Sequence, residues 1–323
     1  RSIWVTGVQT CALPIYLGAS VLVPRGWSQN QDQRYPILLQ MSPGQDASRP
    51  YFFNPDPVTG SRSFGPQVNI ETGYELYRTW ISDDFPRLLV ASIIQPTPFF
   101  MEGYATDSAN NGPVGQAIVE ELIPAIEKKF RAVGKPHARV VQGLSTGGWE
   151  ALSLQLKYPD FFGGVWTFNP DPIDFRHMVM ANLYEDENAF AARHDDWTTV
   201  ERPFQRTIEG QTLQTMRELS LRELALGSHA RSRSQLDAWN AAYGPVGSDG
   251  YPREMWDKRT GLIDREVVDY MRSQGYDLTD YLRRNWTTLG PKLAGKINLI
   301  SADMDEYHLN LAIDRFEIGR AHV

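Results

Sequence analysis

Along the first half of this chain, apolar positions come in short strand-like bursts separated by one clear helical stretch. Tyr16–Val23 alternates apolar and small or polar residues and stops at Pro24, which predicts an early strand. Tyr35–Gln40 and Leu88–Ile94 are compact apolar runs suited to parallel strands buried on both faces, the second ended by Pro96 and Pro98. Val114, Ala117, Ile118, Glu121, Leu122, Ala125, Ile126 and Phe130 recur at helical spacing, and most are apolar. A β-branched run over Ala138–Gln142 leads into a helical pattern, Trp149–Tyr158, closed by Pro159, and Gly164–Phe168 reads as a further strand. Strands alternating with helices predict an α/β fold, a mostly parallel sheet flanked by helices.

From about Asp171 to Pro291 the rhythm changes. Helical segments over Leu213–Leu226, Gln235–Tyr243 and Asp264–Arg272 are separated by loops, and no strand stands out. This region is expected to be a mainly helical insertion lying over the sheet edge where ligands bind. Lys296–Ile300 then resumes the sheet. The tetrapeptide Asn-Pro-Asp-Pro occurs at Asn54–Pro57 and again at Asn169–Pro172, and both copies are turn-rich segments, not units of a repeat.

The two ends change the picture. Val5–Ile15 and Glu317–Val323 resemble translations of sequencing-library adapters read from opposite sides of an insert. Residues 1–15 and 317–323 are therefore set aside, as a fusion scar would be. The expectation is an authentic domain over 16–316, with the insertion at about 171–291 and a C-terminal strand and helix missing. Such a fragment is expected to be marginally stable. Cys11, the one cysteine of the 323 residues, falls in the excluded part, so no disulfide or thiolate metal site is expected. A leader peptide would lie upstream, and a bacterial, periplasmic or secreted location stays open. The net charge of −7 without a dense basic patch argues against nucleic acid as a partner. No apolar run approaches membrane-spanning length. Oligomeric state is not readable.

The chemistry concentrates at Gly143-Leu144-Ser145-Thr146-Gly147-Gly148, between the predicted strand and helix. Strand, Gly-x-Ser-x-Gly and helix in that order form a nucleophile elbow, which lifts the serine hydroxyl above the sheet at a helix N-terminus. The alternative is a structural Gly-rich turn; a phosphate loop lacks its Lys and Ser/Thr here. A serine needs a base oriented by an acid, in the chain order Ser, Asp or Glu, His. Asp305, with Asp303 as alternative, follows the last predicted strand, and one of them is expected to cap the next helix. Asp171 is an outside alternative. No histidine stands in the usual place for the base: His308 lies too near Asp305, His137 precedes the elbow strand, His177, His194 and His229 fall in the insertion, and His322 lies in the excluded end. The base is expected to lie outside this chain. The oxyanion donors are expected to be the N–H of Thr146 and that of Ser42 or Gly44.

Asp107–Pro113, Glu121–Glu127, Ser145–Ala151, Tyr158–Gly164 and Ala302–Asp305, the last followed by Tyr307 and Leu309, resemble the enterochelin-esterase-like esterases of the α/β-hydrolase superfamily. The resemblance covers nearly all of 16–316. It implies a serine carboxylic-ester hydrolase using a Ser–His–Asp triad through an acyl-enzyme, without metal or organic cofactor. Ser145 matches the nucleophile and Asp305 the acid, while Ala302 replaces a glycine and the histidine-bearing end is absent. The parent is expected to be active and this fragment inactive. Asn110, Asn111 and Trp149 are candidates for substrate contact; equally, the asparagines build a turn and Trp149 packs the elbow helix. The substrate is expected to be a small-molecule or carbohydrate-linked ester. An acyltransferase, or a non-catalytic binding protein on the same fold, are the competing readings.

Overall fold

The computed structural model describes residues 2–9, 14–41, 53–59, 72–195 and 197–321, with side chains described only between 16 and 316. The chain opens with β1 (Ser2–Gln9) and β2 (Pro14–Leu22), paired antiparallel, and β3 (Ile37–Met41) follows. Helix α1 (Gly73–Ile81) starts at a capping box, in which the Thr72 hydroxyl accepts from the Glu75 N–H and the Glu75 carboxylate accepts from the Thr72 N–H. Next come β4 (Leu89–Ile94) and a minimal hairpin, β5 (Asp107–Ser108) with β6 (Gly112–Pro113).

The helical stretch read over 114–130 is one body with a widened middle. Helix α2 (Val114–Ala117) passes through a π-turn at Ile118–Leu122 into α3 (Ile123–Phe130). Pro124 has no N–H to give to the preceding turn, and the widening ahead of it accommodates the missing bond. Strand β7 (Arg139–Leu144), helix α4 (Thr146–Lys157) and strand β8 (Gly164–Phe168) follow. Helix α4 is buried from Thr146 to Leu156 and lies against β7 and β8.

The insertion departs from the expectation that it lacks strands. It carries two short ribbons, β9 (Ala191–Arg193) with β10 (Thr199–Glu201), and β11 (Pro203–Arg206) with β12 (Thr212–Thr215). Strands of three or four residues, exposed on both faces as β10 is, leave no alternation to read. Helix α5 (Met216–Leu226) therefore starts later than the pattern predicts, at a second capping box formed by Thr215 and Glu218. The rest is helical: α6 (Gln235–Tyr243), α7 (Arg265–Ser273), α8 (Leu278–Arg284) and α9 (Trp286–Leu293). Strand β13 (Ile297–Ile300) returns to the sheet and α10 (Asn310–Ala321) ends the described chain.

Among the described residues the central sheet has seven strands in the order β1-β2-β4-β3-β7-β8-β13. From β4 to β13 every pair is parallel, and β2 joins β4 antiparallel. The architecture is α/β, a mostly parallel sheet flanked by helices. The chain leaves β3 toward β4 on one side and leaves β7 toward β8 on the other. The strand order thus reverses between β3 and β7, and the carboxyl ends of strands at such a reversal are where open α/β sheets bind ligands.

The elbow strand is anchored at its far end. Arg139 opens β7 and makes a two-pronged ion pair with Glu127 of α3, Nε to Oε1 at 2.6 Å and Nη2 to Oε2 at 3.0 Å, both side chains nearly buried. The guanidinium also lies 4.0 Å from the centre of the Phe161 ring. Removing one partner leaves a buried charge uncompensated, so Glu127→Ala is expected to destabilise the fold by about 3 kcal/mol. Urea unfolding checks this; an unchanged midpoint would contradict it.

Candidate active site

Ser145 sits where β7 gives way to α4, and the turn is strained. Its backbone lies at φ 56°, ψ −124°, which a non-glycine residue adopts only when its surroundings compel it. The surroundings do so through four backbone hydrogen bonds. The Ser145 N–H donates to the Phe168 carbonyl of β8 at 3.0 Å, and the Ser145 carbonyl accepts from Gly148, Trp149 and Asp171 at 2.8, 3.1 and 3.1 Å. Glycine is required on both sides of the turn. A Cβ on Gly143 would stand 2.0 Å from the Gly147 carbonyl oxygen, and one on Gly148 would press on Thr167 and the Phe168 carbonyl at 2.9 and 3.0 Å.

The hydroxyl of Ser145 donates to Oδ1 of Asp171 at 3.1 Å. Asp171 follows β8 and is buried. Its other oxygen, Oδ2, gathers four donors: the Tyr104 hydroxyl at 2.6 Å, the Gln235 amide at 2.9 Å, the Thr146 hydroxyl at 3.0 Å and the Trp239 indole N–H at 3.1 Å. Burial raises the Asp171 pKa above the usual carboxylate value, while hydrogen bonds from Tyr104, Trp239, Thr146 and Ser145 work against that rise.

Those donors come from three parts of the chain. Thr146 opens α4. Tyr104 lies in the loop between β4 and β5, where Tyr104 and Ala105 both take positive φ, 59° and 44°. The Gln95 side chain holds this bend by accepting from the Ala105 N–H at 2.6 Å, and its amide donates to the buried Glu150 carboxyl. Gln235 and Trp239 are one helical turn apart on α6, so the insertion reaches Asp171 with a single face. Tyr243, a turn further on, packs against Trp149 and Tyr104, with ring centres at 4.9 and 5.5 Å.

The other residues singled out from sequence are placed as follows. The Thr146 N–H is at the first position of α4, where no carbonyl of its own helix can accept it, so it is available to a developing oxyanion. Ser42 and Gly44 lie outside the described residues, as does His322. Asp305 Oδ1 accepts the N–H groups of Tyr307 and Leu309 at 2.9 and 3.1 Å, in the turn ahead of α10. Asp303 is exposed and its carbonyl accepts from Arg206. Neither carboxylate has a hydrogen bond to Ser145 among the described residues. Asn110 stitches the β5–β6 hairpin to the insertion, donating to the carbonyls of Ala241 and Gly244 at 3.1 and 2.8 Å. The Asn111 amide is buried with no hydrogen-bond partner among the described residues. Trp149 is fully buried between Tyr104 and Tyr243, which places it in the packing of the elbow helix and leaves it no open surface.

None of the described histidines hydrogen-bonds Ser145. His137 stands in a short turn ahead of β7, at the opposite end of that strand from the serine. His194 and His229 are exposed, and burial lowers the His177 pKa. His308 is buried with its backbone at φ 59°, and burial, then Arg206, push its pKa down to about 4. Sequence reasoning missed Tyr104, Gln235 and Trp239. The last two had a signal, since Gln235, Trp239 and Tyr243 share one helical stripe; Tyr104 had none. Among the described residues no group of three His, Cys, Asp or Glu side chains is arranged to hold a metal ion. Nor is any described helix long and apolar enough to cross a membrane.

Comparison with known proteins gives one family-model match. The model of the family described as "Putative esterase" matches residues 101–242, the segment holding Tyr104, Ser145, Asp171, Gln235 and Trp239. No curated protein sequence matches the chain. Among solved structures, the chain is similar to a ferulic acid esterase at 18% identity over 60% of this chain and 74% of that one, with a TM-score of 0.38. An S-formylglutathione hydrolase from Agrobacterium tumefaciens is 14% identical, covering 99% and 94% of the two chains, with a TM-score of 0.36. The siderophore hydrolase EstB from Aspergillus nidulans is 11% identical over 99% and 93%, with a TM-score of 0.38. Likeness at this level says nothing of the substrate.

The buried His308 makes stability acid-sensitive. The unfolded chain takes up this proton near 6.5 and the folded one only near 4, so its contribution is complete above 6.5 and is lost as pH falls toward 4. Asn tolerates a positive φ and does not titrate. His308→Asn is therefore expected to lose less melting temperature than the parent between pH 7 and pH 4.5. Equal losses in both proteins would contradict this.

Proposed function

We propose, from the match of residues 101–242 to the family model described as "Putative esterase", that the chain carries a serine carboxylic-ester hydrolase site with Ser145 as the nucleophile. One observation carries the reading. Ser145 is held at φ 56° on the strand-to-helix turn, with its hydroxyl hydrogen-bonded to a buried carboxylate. A backbone so strained is kept where it aims a side chain.

In this reading the serine oxygen attacks the ester carbonyl carbon, and the carbonyl oxygen gains negative charge beside the Thr146 N–H and the N-terminus of α4. The fixed amide and the helix dipole stabilise that charge more than they stabilise the neutral ester, which is the condition for lowering the barrier. Collapse expels the alcohol and leaves an acyl group on Ser145; water then releases the acid. In a Ser–His–Asp triad with Asp305 as its acid, Oδ1 keeps the N–H groups of Tyr307 and Leu309 and Oδ2 is the oxygen left for the histidine. The substrate class that fits this chemistry is a small ester, and no step calls for a cofactor.

Hydrolysis of a short-chain aryl ester by the full chain and by Ser145→Ala tests the proposal. The variant is expected to lose about 10³-fold or more in kcat/KM, as removal of a nucleophile does, while melting near the parent's temperature. Turnover at the parental rate in Ser145→Ala would overturn it.

A further inference from the structure

We propose that Arg231 and Arg233 form a subsite beside the serine elbow that binds a carboxylate carried by the ester substrate, on its acyl or its alcohol side. The inference rests on the reading of Ser145 as nucleophile and deepens it by naming the substrate class. Both arginines stand in the loop between α5 and α6, where His229, Ala230 and Arg233 take φ of 57°, 55° and 59°. Positive φ at these residues costs strain, and the surroundings hold the loop in it. Ala230 is fully buried in a small cluster with Phe100 and Ala241. The Ser232 N–H donates to Asp237 at 2.9 Å and its hydroxyl to Glu223 at 3.0 Å. A Cβ on Gly227 would stand 2.6 Å from the Arg231 carbonyl oxygen, so the loop closes tightly on itself.

This loop lies next to the elbow. Arg233 is two residues ahead of Gln235, whose amide donates to Asp171, and Arg231 is four ahead. Their backbones therefore lie within about 7 and 14 Å of that residue. The segment they meet, 98–100, follows β4 at the same carboxyl edge of the sheet. The Arg231 guanidinium carbon is 4.1 Å from the centre of the Phe99 ring and 4.6 Å from that of Tyr251, whose ring stacks on His229 at 4.2 Å. Arg233 Nη1 donates to the Pro98 carbonyl at 3.5 Å, so the two side chains are anchored on adjacent residues.

Aromatic rings engage a guanidinium through its plane and leave its N–H edge outward. Neither arginine makes an ion pair among the described residues. Asp249 faces His229 instead, 3.8 Å from Nδ1. The N-terminus of α6 is not the anion site, because the Glu223 carboxylate already accepts the Leu236 and Asp237 N–H groups at 2.9 Å. Two guanidiniums anchored on neighbouring residues repel each other, and an anion between them relieves that repulsion. Held flat, the Arg231 fork offers parallel N–H groups to a planar carboxylate with little ordering left to lose.

The test is the rate at which Ser145 of the full chain is labelled by paired alkyl fluorophosphonates, one ending in a carboxylate and its twin in a neutral carboxamide. Peptide mass locates the label, and chains of several lengths cover the span to the arginines. A chain bonded to phosphorus through carbon reports the acyl side, and one bonded through oxygen the alcohol side. On one of these sides the carboxylate is expected to label the parent at least about tenfold faster than its twin, the least that a hydrogen bond to a charged group contributes. In Arg231→Gln and in Arg233→Gln that ratio is expected to fall toward one. If no probe labels Ser145 in the parent, the nucleophile reading fails and this inference with it. If the twins label the parent equally at every length on both sides, the nucleophile stands and the subsite is overturned. A ratio that persists in both variants overturns the assignment to these arginines. Should the variants lose both probes alike, as misfolded proteins would, the salt response of the parent decides. A ratio that shrinks between about 0.01 M and 1 M salt supports the inference, and an unmoved one overturns it.

Discussion

The close approach of β7 to the first turn of α4 is the constraint on which the site depends. No side chain fits between Gly143 and the Gly147 carbonyl, so the chain must turn there without one. The residue between them is then driven to a positive φ that serine pays for in strain. The same turn fixes three further things. It puts the Ser145 hydroxyl above the carboxyl edge of the sheet, it leaves the Thr146 N–H without an intrahelical partner, and it turns the Ser145 carbonyl toward the Asp171 N–H. Sheet topology makes the location useful, because strand order reverses between β3 and β7.

Asp171 joins this turn to the rest of the molecule. Its burial would be costly without compensation, and the compensation comes from the strained Tyr104 loop, from the elbow helix and from the insertion. Through Gln235 and Trp239, the packing of α6 therefore bears on the electrostatics at Ser145. The aromatic cluster of Tyr104, Trp149 and Tyr243 underlies both, excluding water from the Oδ2 side. An insertion that looks peripheral in the chain order is thus part of the site.

What was legible in the sequence followed physical periodicity. Gly164–Phe168 and Gln235–Tyr243 appear with the bounds their patterns suggest, and the elbow lies where strand, glycines and helix coincide. The ribbons at 191–215 were not legible, because three-residue strands held by a few ladder bonds have no period. The site was legible only where local geometry determines it, at Ser145 and the Thr146 N–H. Asp305 drew attention by following the last strand, and its Oδ1 holds the turn there by accepting the N–H groups of Tyr307 and Leu309. Asp171 meets Tyr104, Gln235 and Trp239 across separations of 67, 64 and 68 residues in the chain, which no local pattern encodes.

The central claim is that this turn delivers an activated serine and an oxyanion donor to one reacting atom. A crystal structure of the full chain after reaction with an alkyl phosphonate measures both at once. The account predicts phosphorus bonded to Ser145 Oγ, its phosphoryl oxygen about 2.9 Å from the Thr146 nitrogen, and Gln235 and Trp239 still bonded to Asp171. An adduct on another residue, or a phosphoryl oxygen turned away from Thr146, would contradict it.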